Sequence, residues 1–159
     1  RQAGISEGVL YQRFGSKEDL FFASMAPSEP DIEALLGPEP PTDEVPAFLK
    51  NVLARMAKHF SEVIPLAIQV IAHPSAHHAG MERAQAGLAQ LHKGLMARLA
   101  WFQAQGLVRP STARHTAQLL TSLAHDWALG HAGLHPAGRH KAQDLEEMAK
   151  IVWKGIARS

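Results

Sequence analysis

Two neighbouring side chains near the start of the chain have the chemistry needed to recognise nucleic-acid bases. The amide of Gln12 can pair with adenine, and the guanidinium of Arg13 can pair with guanine. Nearby, Val9 suits the methyl group of thymine, and Gly8 would permit close approach of the backbone. The alternative at each position is contact with solvent or phosphate, which carries no sequence information.

A tight turn followed by a short helix is predicted to hold these residues. Gly4 can adopt the left-handed conformation that closes a helix, and Ser6 is a suitable N-cap for the next one. Leu10 and Phe14 lie one helical turn apart and would anchor the short helix to a core. Its outer face, which begins at Glu7, is left for a partner. In a helix-turn-helix that partner is the major groove of DNA.

The run from Ala3 to Phe21 resembles the TetR family of transcriptional regulators. It is similar to the end of helix 2, the recognition helix 3 and the start of helix 4 in that family, and the last of these is predicted over residues 17–25. The family pattern is A-G-[VI]-S-x-G-x-[LI]-Y-x-[HYR]-F-x-[SN]-K-E-x-L. Its fixed positions are met by Ala3, Gly4, Ile5, Ser6, Gly8, Leu10, Tyr11, Phe14, Ser16, Lys17, Glu18 and Leu20. Beyond about the first 24 residues, the resemblance rests on helix count and order.

The resemblance implies contacts with DNA by a defined set of residues. These are Ser6, Gly8, Val9, Tyr11, Gln12, Arg13 and Lys17. Tyr11 and Lys17 match positions that touch the DNA backbone, and Lys17 lies beside a helix N-terminus where N–H groups also favour a phosphate. The alternatives are a packed aromatic ring for Tyr11 and a solvated charge for Lys17. Ser6 would cap its helix and touch a phosphate as well.

The composition favours an all-α protein, because aromatic residues make up only 6% and alternating β-branched runs are almost absent. The absence of cysteine excludes disulfides and thiolate metal sites and fits a cytoplasmic protein. The longest apolar run, 63–72, is too short to cross a bilayer. The net charge of +1 lacks the basic excess of a DNA-binding surface. We expect further natural sequence before Arg1, which reads as the last turn of a helix, to supply it.

Proline content indicates where the chain divides. Residues 27–46 hold six of the ten prolines, which is typical of a linker, although residues 31–36 could form one or two helical turns. We therefore predict the C-terminal part of a helix-turn-helix domain at residues 1–26, a Pro-rich linker at 27–41, and a helical ligand-binding and dimerisation domain at 42–159.

The body is predicted to contain five helical segments. The second of them has no polar face, which predicts a helix buried on most sides. In the third, Met81, Leu88, Leu95 and Phe102 fall seven apart, a spacing typical of packing along a bundle, and Gly106 is its stop. In chain order the segments are 42 or 43 to about 60, 64–72, 79–105, 111–130 and 142–157.

The resemblance also implies a cavity for a small-molecule effector inside the first three of these segments. The residues that would line it are Met56, Phe60, Ile64, Ile68, Leu91, Leu95, Trp101 and Phe102. Ordinary core packing is the alternative for any one of them, whereas methionine and aromatics as a set suit an adaptable apolar ligand. His59 and His125 lie within helices beside apolar residues. Polar recognition inside the cavity and an exposed helix face are equal alternatives for both.

The two closing helices carry apolar faces, and in the family resembled each subunit donates this pair to a four-helix dimer interface. The predicted interface residues are Leu119, Leu123, Trp127, Met148, Val152 and Ile156. Trp127 and Trp153 could equally belong to the core. A dimer is also what a helix-turn-helix requires, because two half-sites lie about 34 Å apart on DNA.

Histidines near the helix breaks offer a second hypothesis, a helical protein that binds a metal or a substrate through His-rich loops. Histidines four apart on one helix face can bind zinc. Here Pro74, Ser75 and Gly133 indicate loops, no cysteine joins the histidines, and solvent exposure is favoured. No nucleophile–base constellation or phosphate-binding loop is present, so no enzyme, cofactor or metal is predicted. The histidines concerned are His73, His77, His78, His131, His135 and His140.

The favoured hypothesis is an all-α, TetR-like, homodimeric transcriptional regulator. It would be a cytoplasmic repressor that binds a palindromic operator in double-stranded DNA, without contact to a membrane, and is released by a small hydrophobic molecule. The resemblance implies a population shift in which the ligand moves helix 4 and changes the separation of the two recognition helices. Coupling of this kind is usually worth about 1–3 kcal/mol.

Overall fold

A computed structural model describes residues 30–72, 77–110, 112–134 and 141–158, together with Leu20. Within these ranges the chain is helical, and no strand is present. The all-α prediction is confirmed. None of the described helices is both long and apolar enough to cross a membrane. The helices are α1 (Ile32–Leu36), α2 (Val45–Ala72), α3 (His77–Ala104), α4 (Ala113–His131) and α5 (Ala142–Ile156).

Helix α2 is the centre of the bundle and contacts all four other helices, most extensively α4. Leu49, Val52, Leu53 and Met56 recur at the spacing of one helical face, and each is fully buried. The facing side of α4 is made mostly of small residues, which allows the two helix backbones to approach closely. The buried residues of α4 are Thr116, Ala117, Leu120, Ala124, Ala128 and Gly130.

The apolar segment at 64–72 continues α2 instead of forming a separate helix, and Pro65 lies inside that helix. The prediction that this segment is buried on most sides is wrong, since Leu66 is 36% and Ile68 is 47% exposed. The reason is one of length. Helix α2 has 28 residues and α4 has 19, or about 42 Å against 28 Å of helix. The end of α2 therefore extends past the helices that bury its first half.

Helix α3 agrees with its predicted bounds and ends before Gly106, which has a φ of +71°. Its predicted stripe is buried only in part. Leu95 and Phe102 lie in the core, whereas Leu88 is 47% exposed. Like the end of α2, the beginning of α3 projects beyond the shorter helices, so an apolar repeat continues where none of the other described helices covers it.

Helix α1 forms at the place where one or two helical turns were expected within the Pro-rich segment. The side chain of Asp31 accepts a hydrogen bond from the backbone of Ala34 at 3.0 Å and caps it. The helix lies on α3, where a Cβ added to Gly94 would be 2.8 Å from a methyl carbon of Ile32 and 3.1 Å from one of Leu36. Glycine at this position therefore permits the close approach. The domain boundaries themselves stay a prediction.

Candidate functional site

The residues predicted to contact DNA lie outside the described part of the chain, so their contacts stay predictions. They are Ser6, Gly8, Val9, Tyr11, Gln12, Arg13 and Lys17. Within the following predicted helix at 17–25, Leu20 is described and is helical and half-buried. The first element that the structure describes beyond the predicted DNA-binding segment is α1.

Arg98 of α3 fastens the turn that follows α1. It is only 3% exposed, and its Nε donates hydrogen bonds to the carbonyl oxygens of Gly37 at 3.0 Å and Pro38 at 3.2 Å. Its Nη1 donates to the carbonyl of Gly94 and to the carboxylate of Glu39, each at 3.1 Å. Burial lowers the pKa of the Arg98 guanidinium, and the nearby carboxylate of Glu39 opposes this effect. The group is still charged at any physiological pH. It therefore depends on these acceptors.

Arg55 of α2 holds the other side of the same turn. Its Nε donates a hydrogen bond of 2.7 Å to the carbonyl oxygen of Leu35, in the last turn of α1. Its Nη2 lies 3.5 Å from the position that a Cβ of Gly37 would occupy. Two arginines from two body helices thus converge on the end of α1. We call Arg55 and Arg98, with the carbonyl groups of residues 35, 37 and 38, the arginine clamp.

A cavity of about 330 Å³ lies beside the arginine clamp, between the turn after α1 and the first turns of α2. Leu36, Pro41 and Phe48 contribute apolar walls. Polar groups enter from Asp43, Asn51 and Arg55, and the side-chain amide of Asn51 donates a 3.1 Å hydrogen bond to Asp43 Oδ2. Its volume is at the lower end of the range for small-molecule sites.

The residues predicted to line an effector cavity are placed elsewhere, and none of them lines this cavity. Most form the packed interior of the bundle, where Phe102 meets Phe48 edge to face with ring centroids 5.1 Å apart. Trp101 is half-buried, and Ile68 is 47% exposed at the projecting end of α2. Their role in ligand binding stays a prediction. The buried members are Met56, Phe60, Ile64, Leu91, Leu95 and Phe102.

His59 and His125 both lie beside Phe60, each with its ring centroid 5.8 Å from that of the phenylalanine. His59 is half-buried, and burial lowers its pKa while the charge of Glu62 opposes the shift. His125 is exposed on α4. The structure therefore places His125 on a solvent-exposed face of α4 and His59 at the edge of the core.

The predicted dimer residues divide into two groups. Val152 and Ile156 are 4% and 8% exposed and belong to the core of the chain itself, which leaves little of either for a second subunit. Leu119 is 47% exposed, and three more side chains are partly buried against the core. These three are Leu123, Trp127 and Met148. Ile151, which was not assigned to the interface, is 68% exposed on α5.

No group of three potential metal ligands is found among the described residues. His131 stacks on Trp127 with ring centroids 5.2 Å apart. The side chains of the other five histidines of the predicted loops lie outside the described residues. They are His73, His77, His78, His135 and His140.

Sequence reasoning missed the arginine clamp. A single arginine within an amphipathic helix normally indicates an exposed face, and nothing in the local pattern shows that Arg98 is buried. One signal was available in the spacing of Gly87 and Gly94, which lie seven residues apart on α3. A Cβ on Gly87 would be 3.2 Å from the ring of Pro30. A pair of glycines on one helix face can mark the place where another segment approaches closely.

The fold defines an all-α bundle with an N-terminal connector fastened to its side. Residues 1–24 match the family described as bacterial regulatory proteins, tetR family. This match supports membership of the TetR family and a role as a DNA-binding transcriptional regulator. Members of this family are regulators and not enzymes. No curated protein and no solved structure matches the chain.

Proposed function

We propose that the protein is a ligand-responsive, homodimeric repressor that binds a palindromic operator. The observation that carries the proposal is the match of residues 1–24 to the DNA-binding region of the family. In that region Gln12 and Arg13 supply bidentate hydrogen-bonding groups for bases, and Lys17 supplies a charge for phosphate.

The exposed apolar side chains of α4 and α5 support the dimer. Leu119 and Ile151 are large aliphatic residues with 47% and 68% of their surface exposed, and Trp127 is only partly covered. Tryptophan and large apolar residues are typical of the cores of subunit interfaces. A second copy that covered these side chains would bring a second DNA-binding segment into the molecule, as a palindromic operator requires.

The arginine clamp supports a response to ligand. A signal from the body can reach the DNA-binding segment through the chain between them, where α1 is held to α2 and α3 by hydrogen bonds and close packing. A ligand that favours one position of α1 over another would shift the population of DNA-binding conformations by its difference in affinity for the two. The proposed release of the operator, and the placement of the protein in the cytoplasm, follow the family resemblance.

Fluorescence anisotropy with the full-length protein tests this function. Labelled duplexes that contain each palindrome upstream of its own coding region are titrated against a random duplex of equal length. The proposal predicts that one palindrome binds at least about a thousandfold more tightly than the random duplex, with two chains per duplex. Equal affinity for all duplexes, or one chain per duplex, would contradict it. Metal analysis of the purified protein tests the His-loop alternative, which requires stoichiometric zinc.

A further inference from the structure

We propose that the cavity beside the arginine clamp is an effector site for a small organic acid, with Arg55 as the group that binds its carboxylate. The proposal rests on the proposed function only where it assigns a regulatory consequence to binding. The site itself is argued from the described residues that surround it.

Arg55 has binding capacity that the fold does not use. Its Nε is occupied by the carbonyl oxygen of Leu35, but within the described ranges no carboxylate pairs with its guanidinium. Its Nη2 lies at the wall of the cavity beside Gly37. A planar guanidinium with unused N–H groups is well suited to a carboxylate, which it can bind through two parallel hydrogen bonds.

The charge of Arg55 is not paired with a carboxylate in the described part of the chain, so it can attract an anion. The charge of the neighbouring Arg98 is offset by the carboxylates of Glu39 and, to a smaller extent, Glu33. Because Arg55 is half-buried, the interaction would be screened less than at an exposed site.

The other walls limit the rest of the ligand. Leu36, Pro41 and Phe48 form the apolar part of the wall, and because Leu36 and Phe48 are only 1% and 2% exposed, they can contact only a small apolar group. Asp43 lines the cavity as well. Its carboxylate accepts a hydrogen bond from the side chain of Asn51, which lies one helical turn before Arg55 on α2. Its carboxylate repels a second anion and favours a hydrogen-bond donor such as a hydroxyl group. The chemical class is thus an aromatic or branched organic acid that also carries a hydroxyl group.

Binding at this site would act directly on α1. The guanidinium that would hold the ligand also holds the carbonyl of Leu35, and Leu36 and Gly37 contribute both to the cavity and to the end of α1. A ligand that recruits Arg55 changes the arginine clamp without any rearrangement of the packed interior. This differs from the predicted cavity among Met56, Leu95 and their neighbours, where both of these side chains are fully buried.

The test uses 4-hydroxybenzoate as the probe, in calorimetric titrations of the full-length protein without DNA. Benzoate lacks the hydroxyl, 4-hydroxybenzamide lacks the charge, and inorganic phosphate lacks the apolar body. We expect 4-hydroxybenzoate to bind at least tenfold more tightly than 4-hydroxybenzamide, because the neutral amide cannot form the charge-assisted hydrogen bonds that a carboxylate forms with a guanidinium. The affinity for benzoate should lie between those for 4-hydroxybenzoate and 4-hydroxybenzamide. No binding of 4-hydroxybenzoate, or equal affinity for the amide or for phosphate, overturns the proposed site.

Variants of the protein complete the experiment. Arg55→Gln should weaken 4-hydroxybenzoate at least tenfold, and Arg55→Lys, which keeps the charge, should recover part of the affinity. Arg114→Gln makes the same change on the exposed face of α4 and should leave the affinity unchanged. If Arg55→Gln does not fold, the comparison between Arg55→Lys and wild type, together with the four probes, still decides the matter. Unchanged affinity in the Arg55 variants overturns the site.

The regulatory consequence is measured separately, by anisotropy with the preferred duplex in the presence and absence of 4-hydroxybenzoate. We expect a change of about fivefold or more in DNA affinity, which should be lost in Arg55→Gln. Binding of the acid to a protein that recognises no duplex would refute the proposed function and leave the site intact. Specific DNA binding by a protein that does not bind the acid would refute the site alone. Acid binding with unchanged DNA affinity would refute the coupling through α1.

Discussion

Helices α2 and α3 are covered by other helices at one end of the bundle and are partly exposed at the other. At one end α2 and α3 are covered by α1 and by the shorter closing helices, so that Leu53 and Leu95 are fully buried. At the other end the same two helices project, and Leu66 and Leu88 are 36% and 47% exposed. The apolar repeat runs through both ends. Burial is therefore decided by the reach of the partner helices and not by the repeat itself.

The largest expected difference between the two ends concerns leucines on one helix face. Leu95→Ala removes a side chain with no exposed surface and should lower the free energy of unfolding by about 2–5 kcal/mol. Leu88→Ala, seven residues earlier on the same helix, should change it by less than about 1 kcal/mol. Urea denaturation of both variants measures the difference. Equal losses would mean that the projecting end is covered in solution.

The arginine clamp predicts the second largest effect. Arg98→Met keeps the apolar stem but leaves the carbonyl groups of Gly37 and Pro38 without their donor, and it should cost about 1–3 kcal/mol. Amide hydrogen exchange should become faster in α1. Arg83→Met, on an exposed part of the same helix, is the matched control. It should change neither the free energy of unfolding nor the exchange rate of the α1 amides. Unchanged exchange in α1 would show that the clamp does not fasten it.

Alanine substitutions at Gly94 and Gly155 should change the stability in opposite directions and by smaller amounts, because only Gly94 packs against α1. Gly94→Ala gains about 1 kcal/mol of helix propensity but forces a Cβ to within 2.8 Å of Ile32, which should leave a net loss of about 1 kcal/mol. Gly155→Ala has no atom within 4 Å of the new Cβ and should stabilise the protein instead. Thermal unfolding of both variants gives the two signs. Stabilisation by Gly94→Ala would contradict the docking of α1.

The smallest effect is expected from His59, whose pKa is lowered from 6.5 by burial. The unfolded chain then binds a proton more readily than the folded one. The stabilisation from keeping His59 neutral is present above pH 6.5 and is lost as the pH falls below it toward the lower pKa of the folded state. Stability measured between pH 7.5 and 5 should fall more in wild type than in His59→Gln. Identical pH profiles would place His59 fully in water.

The sequence predicted those features that depend on local pattern. The end of α3 before Gly106 follows from a residue that readily takes a positive φ, and the buried face of α2 follows from helical spacing. The burial of Arg98 could not be predicted, because its acceptors lie about 60 residues earlier in the chain. The exposure of Ile68 was missed for a similar reason, since it depends on where α4 ends. The residues that read DNA were inferred from a motif, and their geometry stays a prediction.

The salt dependence of operator binding by wild type, Arg13→Ala and Lys17→Ala tests whether the segment around Tyr11 reads DNA. It is measured by anisotropy on the preferred palindrome and on random duplex. Arg13→Ala should weaken operator binding by about 1–3 kcal/mol and narrow the difference between the two duplexes. Lys17→Ala should weaken both duplexes alike and lower the salt slope by about 1 per subunit. If both variants bind both duplexes as wild type does, the segment around Tyr11 is not the DNA-reading element.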